Sequence, residues 1–297
     1  MIKGFNQPLP AWRSILNDKP KLDGLISYLQ SLPIDSRVLR WVGGTSSKTH
    51  FFERDLTNQF HAFCIQAGIG KISIVVNPND INGFIETYKI LSANIDVILV
   101  EFGNEDYLRS HVQKSTIGVK EMSLFYLNYN KLLEQKAIEY RKKFIQFQKT
   151  LSIHRITSPL AFCCDIPNDS KSSIWFNALK NYSDNCIIHA YGQPDNPNYH
   201  KGLATSLDKM KDKSIFVTEY NPIHFGDSTE TIKNENLEFS DTYFEYNKKS
   251  LAVLNRSNVK GIWKHMLFDI LEPNRILTPY RQLTIYPNGL IKNEYNG

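Results

Sequence analysis

Long apolar runs, compositional bias and internal repeats are all missing from this sequence. No segment approaches the about 18 uninterrupted apolar residues of a membrane-spanning helix, and the first residues, MIKGFNQPLPAW, contain no apolar core of an export signal. We find no Pro/Gly/Ser-rich stretch, low-complexity block, or repeat of solenoid or propeller period. We therefore expect one domain over residues 1–297 that is soluble, not inserted in a membrane, and either cytoplasmic or part of a larger assembly.

Cysteine is scarce, and its spacing argues against metal and disulfide chemistry. Cys64, Cys163, Cys164 and Cys186 fit no CxxC metal pattern, and the adjacent pair cannot readily bridge to itself. Free cysteine behaves as a small core residue, so we expect four buried, reduced thiols in a reducing compartment. We predict no metal ion and no cofactor.

Charge of one sign is not in large excess. The chain has 35 basic and 30 acidic residues, a net charge of +5, and its densest basic cluster is YRKK at 140–143. Three basic residues on a helix are typical of a solvated face and do not indicate a phosphate-binding footprint. Nucleic acid is therefore not an expected partner, whereas the oligomeric state stays open.

Short β-branched runs alternate with amphipathic helical segments along most of the chain. This order is typical of a parallel sheet with crossover helices. A barrel of eight such units takes about 250 residues, so one barrel with a few long loops would use the 297 residues almost completely. The fold class is accordingly α/β, a single-domain (β/α)8 (TIM) barrel with an irregular first strand and a poorly marked last helix.

The predicted strands are eight. We place the first at Ile2 to Asn6, and the others in these segments: RVLRWV at 37–42, KISIVVN at 71–77, IDVILVEFGNE, IHRITSPLAFCC, CIIHAY at 186–191, SIFVTEY and VKGIWKHMLF. Helices are expected between these strands. They include Lys21 to Leu32, a long helix that ends near Lys149, a short helix near Leu207 to Met210, and a last one at Phe239 to Leu254.

Polar residues end nearly every predicted strand. In a barrel of this kind the active site lies at the carboxyl ends of the strands, so these residues are expected to converge on one rim. In chain order they are Arg40, Asn77, Asn104 with Glu105, Asp165, His189 with Tyr191, Glu219, and Trp263 with His265. Asn77 and Asp165 are the weakest members of this set.

Glu105 and Glu219 each follow a strongly apolar run, DVILVEFGNE and SIFVTE, on the fourth and seventh predicted strands. This places two carboxyl groups roughly across one barrel mouth. Carboxyl groups about 5 Å apart suit double displacement, in which one attacks the anomeric carbon while the other protonates the leaving oxygen. We predict that both are catalytic and that their environments separate their pKa values.

The ordered set of motifs resembles the clan A glycoside hydrolases. In that group an Asn-Glu pair after strand four supplies the acid/base and a Glu after strand seven supplies the nucleophile, matched here by Asn104, Glu105 and Glu219. RWVGGT at 40–45 is similar to the Arg-x-x-Gly-Gly-Thr segment after strand two. HAY at 189–191 is similar to the His-x-Tyr of strand six, and Trp263 lies in strand eight.

The resemblance implies a retaining glycosidase acting on a carbohydrate, with Glu105 as acid/base and Glu219 as nucleophile. By the same resemblance, Arg40 and Tyr191 hydrogen-bond Glu219, and Asn104 holds the sugar 2-hydroxyl. His189 orients the acid/base or the sugar, and Trp263 provides an aromatic platform under the ring. These five residues are the predicted substrate-binding set, with no metal ligand among them.

Three other functions are alternatives for a barrel of this kind. A metal-dependent hydrolase needs His-x-His on the first strand, which is absent. A phosphate-binding barrel needs glycine-rich turns after strands seven and eight, which TEYNPIHF and MLFDILEP do not provide. The third alternative, a non-catalytic carbohydrate-binding barrel in a surface or virion assembly, stays open, because one fold carries many functions.

Overall fold

The computed structural model describes residues 1–43, 50–104, 122–164, 170–192, 196–221, 241–270 and 282–294. Eight parallel strands form a closed barrel in the order of the sequence, β1 to β8, so the predicted (β/α)8 fold is confirmed. The strands are β1 (Ile2–Pro8), β2 (Val38–Gly43), β3 (Lys71–Val76), β4 (Asp96–Phe102), β5 (Leu160–Cys163), β6 (Asn185–Tyr191), β7 (Ser214–Asn221) and β8 (Val259–His265).

Helices connect consecutive strands, as the alternating pattern predicts. The α-helices are α1 (Leu9–Leu16), α2 (Lys19–Ser31), α3 (Arg54–Ala67), α4 (Ile81–Leu91), α5 (Met122–Ile153), α6 (Ser170–Leu179), α7 (Tyr199–Lys209) and α8 (Asp241–Leu254), with a 3-10 helix at Ile34–Ser36. Side chains of Asp18 and Asp80 accept backbone N–H bonds at the starts of α2 and α4. Gly68 ends α3 with φ of 67°, a left-handed conformation that favours glycine.

Two helices differ from the predictions. α7 begins at Tyr199, so the helix predicted near Leu207 to Met210 was too short. α1 was not predicted, although its proline lies in the first turn, where no intrahelical N–H is required. Its buried residues include Trp12, whose indole packs against Phe60 and Phe268 at ring-centroid distances of 5.1 and 5.5 Å.

A small sheet follows β8 where the sequence analysis expects a last helix. Within the described residues, the chain after β8 forms three short strands, β9 (Phe268–Ile270), β10 (Leu283–Ile285) and β11 (Ile291–Asn293), in the spatial order β11-β10-β9. Apolar side chains of β9 and β10 are buried. This sheet lies close to α2, where Gly289 carbonyl oxygen comes near Gly24. The tail therefore belongs to the folded domain.

Apolar side chains fill the interior and the layer between strands and helices. The four tryptophans, Trp12, Trp41, Trp175 and Trp263, are all fully buried. All four cysteines are buried and none forms a disulfide, in agreement with the expectation from their spacing. Of the helices in the described parts of the chain, none is both long and apolar enough to cross a bilayer.

Candidate active site

The strand register brings a layer of polar side chains together inside the carboxyl end of the barrel. Asn6 of β1 pairs with Arg40 of β2 on one side and with His265 of β8 on the other. His189 of β6 pairs with Glu219 of β7. Because alternate residues of each barrel strand point inward, these side chains face one another across the interior. Polar residues from β1, β2, β6, β7 and β8 therefore lie in one layer.

Glu219 lies at the centre of this layer and is 4% exposed. Its Oε1 accepts a hydrogen bond of 2.6 Å from Arg40 Nη1, and its Oε2 accepts one from the Tyr191 hydroxyl. Burial alone would raise the pKa of this carboxyl, but nearby His189, Arg40 and His265 and the Tyr191 hydrogen bond hold it well below its usual range. Glu219 is therefore an ionised carboxylate at neutral pH.

Arg40 is fully buried and is the largest polar side chain of the layer. Besides Glu219, its guanidinium donates to Glu101, to Asn6 Oδ1 at 3.3 Å and to Asn104 Oδ1 at 2.8 Å. Burial works to lower the pKa of Arg40, but the carboxylates of Glu101 and Glu219 outweigh it and raise the pKa above its usual value. The guanidinium thus stays charged within the barrel.

Arg40 and Tyr191 make the contacts with Glu219 that the clan A resemblance implies. His189 lies on the same side, with Nδ1 3.6 Å from Glu219 Oε2. Its Nε2 is 4.0 Å from the Cys163 Sγ and 3.5 Å from the Thr218 hydroxyl. His189 therefore borders the Glu219 carboxylate, whereas the resemblance implies that it orients the acid/base or the sugar.

Asn104 reaches the same cluster from the end of β4. Since a guanidinium only donates hydrogen bonds, the atom of Asn104 that faces Arg40 is its oxygen, and its NH2 group is directed elsewhere. Glu105 directly follows but lies outside the described residues, as do Asp165 and the Gly44 and Thr45 of the RWVGGT segment. The separation of the two predicted catalytic carboxyl groups thus stays a prediction.

Trp263 does not have the position that an aromatic sugar platform needs. Its side chain is 0% exposed. In the strand register Trp263 pairs with Gly4, two residues before the pair of Asn6 and His265, so its side chain lies one layer deeper in the barrel. A β-carbon at Gly4 or Gly261 would lie within 2.7 or 2.5 Å of the indole, so these glycines make room for it. The platform assignment is corrected on this geometry: the ring fills the barrel interior beneath the polar layer.

Asn77, a weak member of the predicted set, lies apart from this cluster. Its NH2 group donates to the His50 carbonyl at 3.0 Å, and its Oδ1 accepts from Asn79 N–H at 2.9 Å. These bonds organise the turn after β3, so Asn77 has a local structural role in the described part of the chain.

Sequence reasoning missed Glu101, Asn6 and Asn221. Glu101 is fully buried and binds Arg40, and the signal for it was an acidic residue inside the apolar run DVILVEF. Asn6 donates from Nδ2 to His265 Nδ1 at 2.6 Å, while Asn221 Nδ2 donates to the His265 carbonyl at 2.6 Å. Asn221 ends β7 and Asn6 lies two residues before the end of β1, so both are close to the strand ends from which the other residues were identified.

No protein-family model and no curated protein matches this chain. Solved structures do share its fold. A calcium-binding mutant of β-glucuronidase 2 from Bacteroides uniformis aligns with a TM-score of 0.53 and 12% identity over 97% of this chain, which spans only 33% of that chain. A family 1 β-glucosidase from Thermotoga maritima aligns with a TM-score of 0.52 and 10% identity, covering 96% of this chain and 92% of that one.

A second structure of Thermotoga maritima β-glucosidase, in complex with a calystegine derivative, has a TM-score of 0.54 at 10% identity over 91% of this chain and 82% of that chain. The eight-stranded parallel barrel of this chain is therefore a fold that it shares with these β-glycosidase structures. At these identities the similarity establishes the fold alone.

Proposed function

We propose that this protein is a retaining glycoside hydrolase that cleaves a β-linked glycoside or polysaccharide by double displacement. The observation that carries the proposal is Glu219: a buried, ionised carboxylate at the carboxyl end of β7, with one oxygen bound by Arg40 and the other by Tyr191. Fixed donors on both oxygens orient the carboxylate for attack without reorganisation of solvent.

The reaction proceeds in two steps. A Glu219 oxygen forms a bond to the anomeric carbon while the bond from that carbon to the aglycone oxygen breaks, and Glu105 gives its proton to the departing oxygen. Glu105, now a carboxylate, removes a proton from water, whose oxygen attacks the anomeric carbon and releases Glu219. No metal or cofactor takes part in this scheme.

Asn104 and His189 supply substrate contacts in the proposal. Because the Asn104 oxygen is occupied by Arg40, its NH2 group is the part that donates to the sugar 2-hydroxyl. The fold neighbours, a β-glucuronidase and a β-glucosidase, support a β-glycoside as the proposed substrate class.

Turnover of aryl β-glycosides and polysaccharides tests the proposal. Glu219→Gln should abolish hydrolysis, and a 2-fluoro glycosyl inactivator should label Glu219 in peptide mapping. Glu105→Ala should lower kcat about 10²- to 10⁴-fold on an unactivated glycoside. The loss of kcat should be far smaller on a dinitrophenyl glycoside, whose leaving group needs no proton.

The Glu86→Gln variant on α4, whose side chain is 36% exposed, is the matched control and should keep full activity. Sugar binding without turnover by the unaltered protein would instead support the non-catalytic barrel. Full turnover by Glu219→Gln would refute the assigned nucleophile.

A further inference from the structure

Arg40 binds a second carboxylate that the proposed reaction does not use. Glu101, on β4, is fully buried inside the barrel, and its Oε2 lies 2.9 Å from Arg40 Nε and 2.8 Å from Nη2. It therefore lies along the edge of the guanidinium that Nε and Nη2 form. An uncompensated carboxylate at this depth would be strongly disfavoured, so the pair depends on this contact.

Hydrogen bonds hold all three nitrogens of the Arg40 guanidinium. Nε donates to Glu101 and Nη2 donates to Asn104. Nη1 donates to both Asn6 and Glu219. Because the guanidinium is planar and each of its nitrogens is hydrogen-bonded, rotation of its plane would break several bonds at once.

Glu101 and Glu219 compete for the same cation. A guanidinium with one carboxylate neighbour favours a bidentate contact with it, in which two donors bind two oxygens. Glu101 occupies the edge formed by Nε and Nη2, which leaves Glu219 a single bond from Nη1. The second oxygen of Glu219 is thereby kept for Tyr191.

We propose that Glu101 is a positioning residue, which fixes the plane of the Arg40 guanidinium so that Nη1 binds Glu219 and Nη2 binds Asn104. This inference rests on the proposed glycosidase function and adds a residue to it. Without Glu101 the guanidinium turns toward Glu219 and forms a bidentate pair, which draws the nucleophile away from the anomeric carbon and releases Asn104.

The test uses Glu101→Gln, which keeps the size of the side chain but removes its charge. We expect kcat for an aryl glycoside to fall about 10²-fold, the effect of misplacing a reacting group by about 1 Å, with little change in KM. Glu101→Asp, which keeps the charge, should recover part of this loss. An unchanged kcat in Glu101→Gln would overturn the proposal.

The control is Tyr140→Phe. The Tyr140 hydroxyl donates to the carbonyl of Phe102, next to Glu101 on β4, so this variant removes a buried hydrogen bond from the same strand without touching Arg40. It should lower the melting temperature and leave kcat unchanged. A fall in kcat equal to that of Glu101→Gln would mean that general weakening of β4 explains both, and would also overturn the proposal.

A readout independent of turnover separates this proposal from the glycosidase assignment. Nitrogen-15 NMR should show the Arg40 Nε–H as a slowly exchanging signal that shifts and exchanges faster in Glu101→Gln, but not in Tyr140→Phe. If the intact protein hydrolyses no glycoside and the signal still responds, the proposed function fails while the positioning of Arg40 stands. An unaltered signal in Glu101→Gln refutes the positioning role.

Discussion

Arg40 and Glu219 form a buried ion pair across the barrel interior, with Arg40 Nη1 2.6 Å from Glu219 Oε1. The two residues are far apart in the sequence and belong to β2 and β7, so only closure of the barrel brings them together. Together with His189, the pair helps to keep Glu219 ionised, and the consequences can be measured without knowing the substrate.

The pH dependence of stability reports the ionised state of Glu219. Its folded pKa lies below the ordinary value of 4.5, so its charge stabilises the fold above about pH 4.5, and that contribution is lost as the pH falls toward the folded pKa. Between pH 7 and pH 3, the free energy of unfolding measured with urea should therefore fall more steeply in the unaltered protein than in Glu219→Gln. Parallel curves below pH 4.5 would contradict the depressed pKa.

Removing the Tyr191 hydroxyl should impair the nucleophile. A hydrogen bond to a charged group contributes about 1.5–3 kcal/mol, so Tyr191→Phe should reduce kcat about 10- to 100-fold and raise the pKa of Glu219. The kcat/KM profile should then fall off at a higher pH on its acid side. Tyr199→Phe is the control, since that buried hydroxyl has no hydrogen-bond partner among the described residues, and it should keep full activity. Equal activities of the two variants would rule out the Tyr191 role.

The protonation of His265 follows from a chain of hydrogen bonds. Arg40 only donates, so Asn6 presents its oxygen to Arg40 and its NH2 group to His265 Nδ1, 2.6 Å away. We therefore expect Nδ1 to be the unprotonated nitrogen at neutral pH, with a nitrogen-15 shift typical of an acceptor. In Asn6→Asp the carboxylate only accepts, so Nδ1 should become protonated. A protonated Nδ1 in the unaltered protein would contradict this orientation of Asn6.

The strands and their polar ends were predictable because both signals are local. A short apolar run that ends in a polar residue can be recognised without knowing its neighbours, and Arg40, His189, Tyr191 and Glu219 were all found in this way. The barrel then brought them together because parallel strands present their carboxyl ends on one rim.

Contacts between side chains inside the barrel could not be predicted, because they depend on the register of the strands and on closure of the barrel. Glu101 lies within an apolar run, and only the position of Arg40 on another strand explains its burial. The role of Trp263 was ambiguous in the sequence, because an aromatic residue near a strand end can be either a sugar-binding platform or a core residue. Two glycines beside the indole, Gly4 on β1 and Gly261 on β8, decide between these two interpretations. Gly4 is distant from Trp263 in sequence, so its proximity could not be predicted.

Trp263 should therefore behave as a core residue when it is replaced. Trp263→Ala removes a fully buried indole and should lower the free energy of unfolding by about 3–5 kcal/mol. Gly4→Ala should destabilise by about 1–3 kcal/mol, because the added methyl carbon would lie 2.7 Å from the indole and from the Val38 carbonyl oxygen. Urea denaturation measures both effects.

Sugar binding distinguishes the core role of Trp263 from the platform role. Trp263→Phe retains an aromatic ring but leaves unfilled space beside Gly4 and Gly261, so stability should fall while KM for an aryl glycoside stays within about twofold. A platform would give the reverse result, a raised KM with little change in stability, because the lost contact would be with the sugar. That reverse result would restore the platform and require the indole to leave the barrel interior when substrate binds.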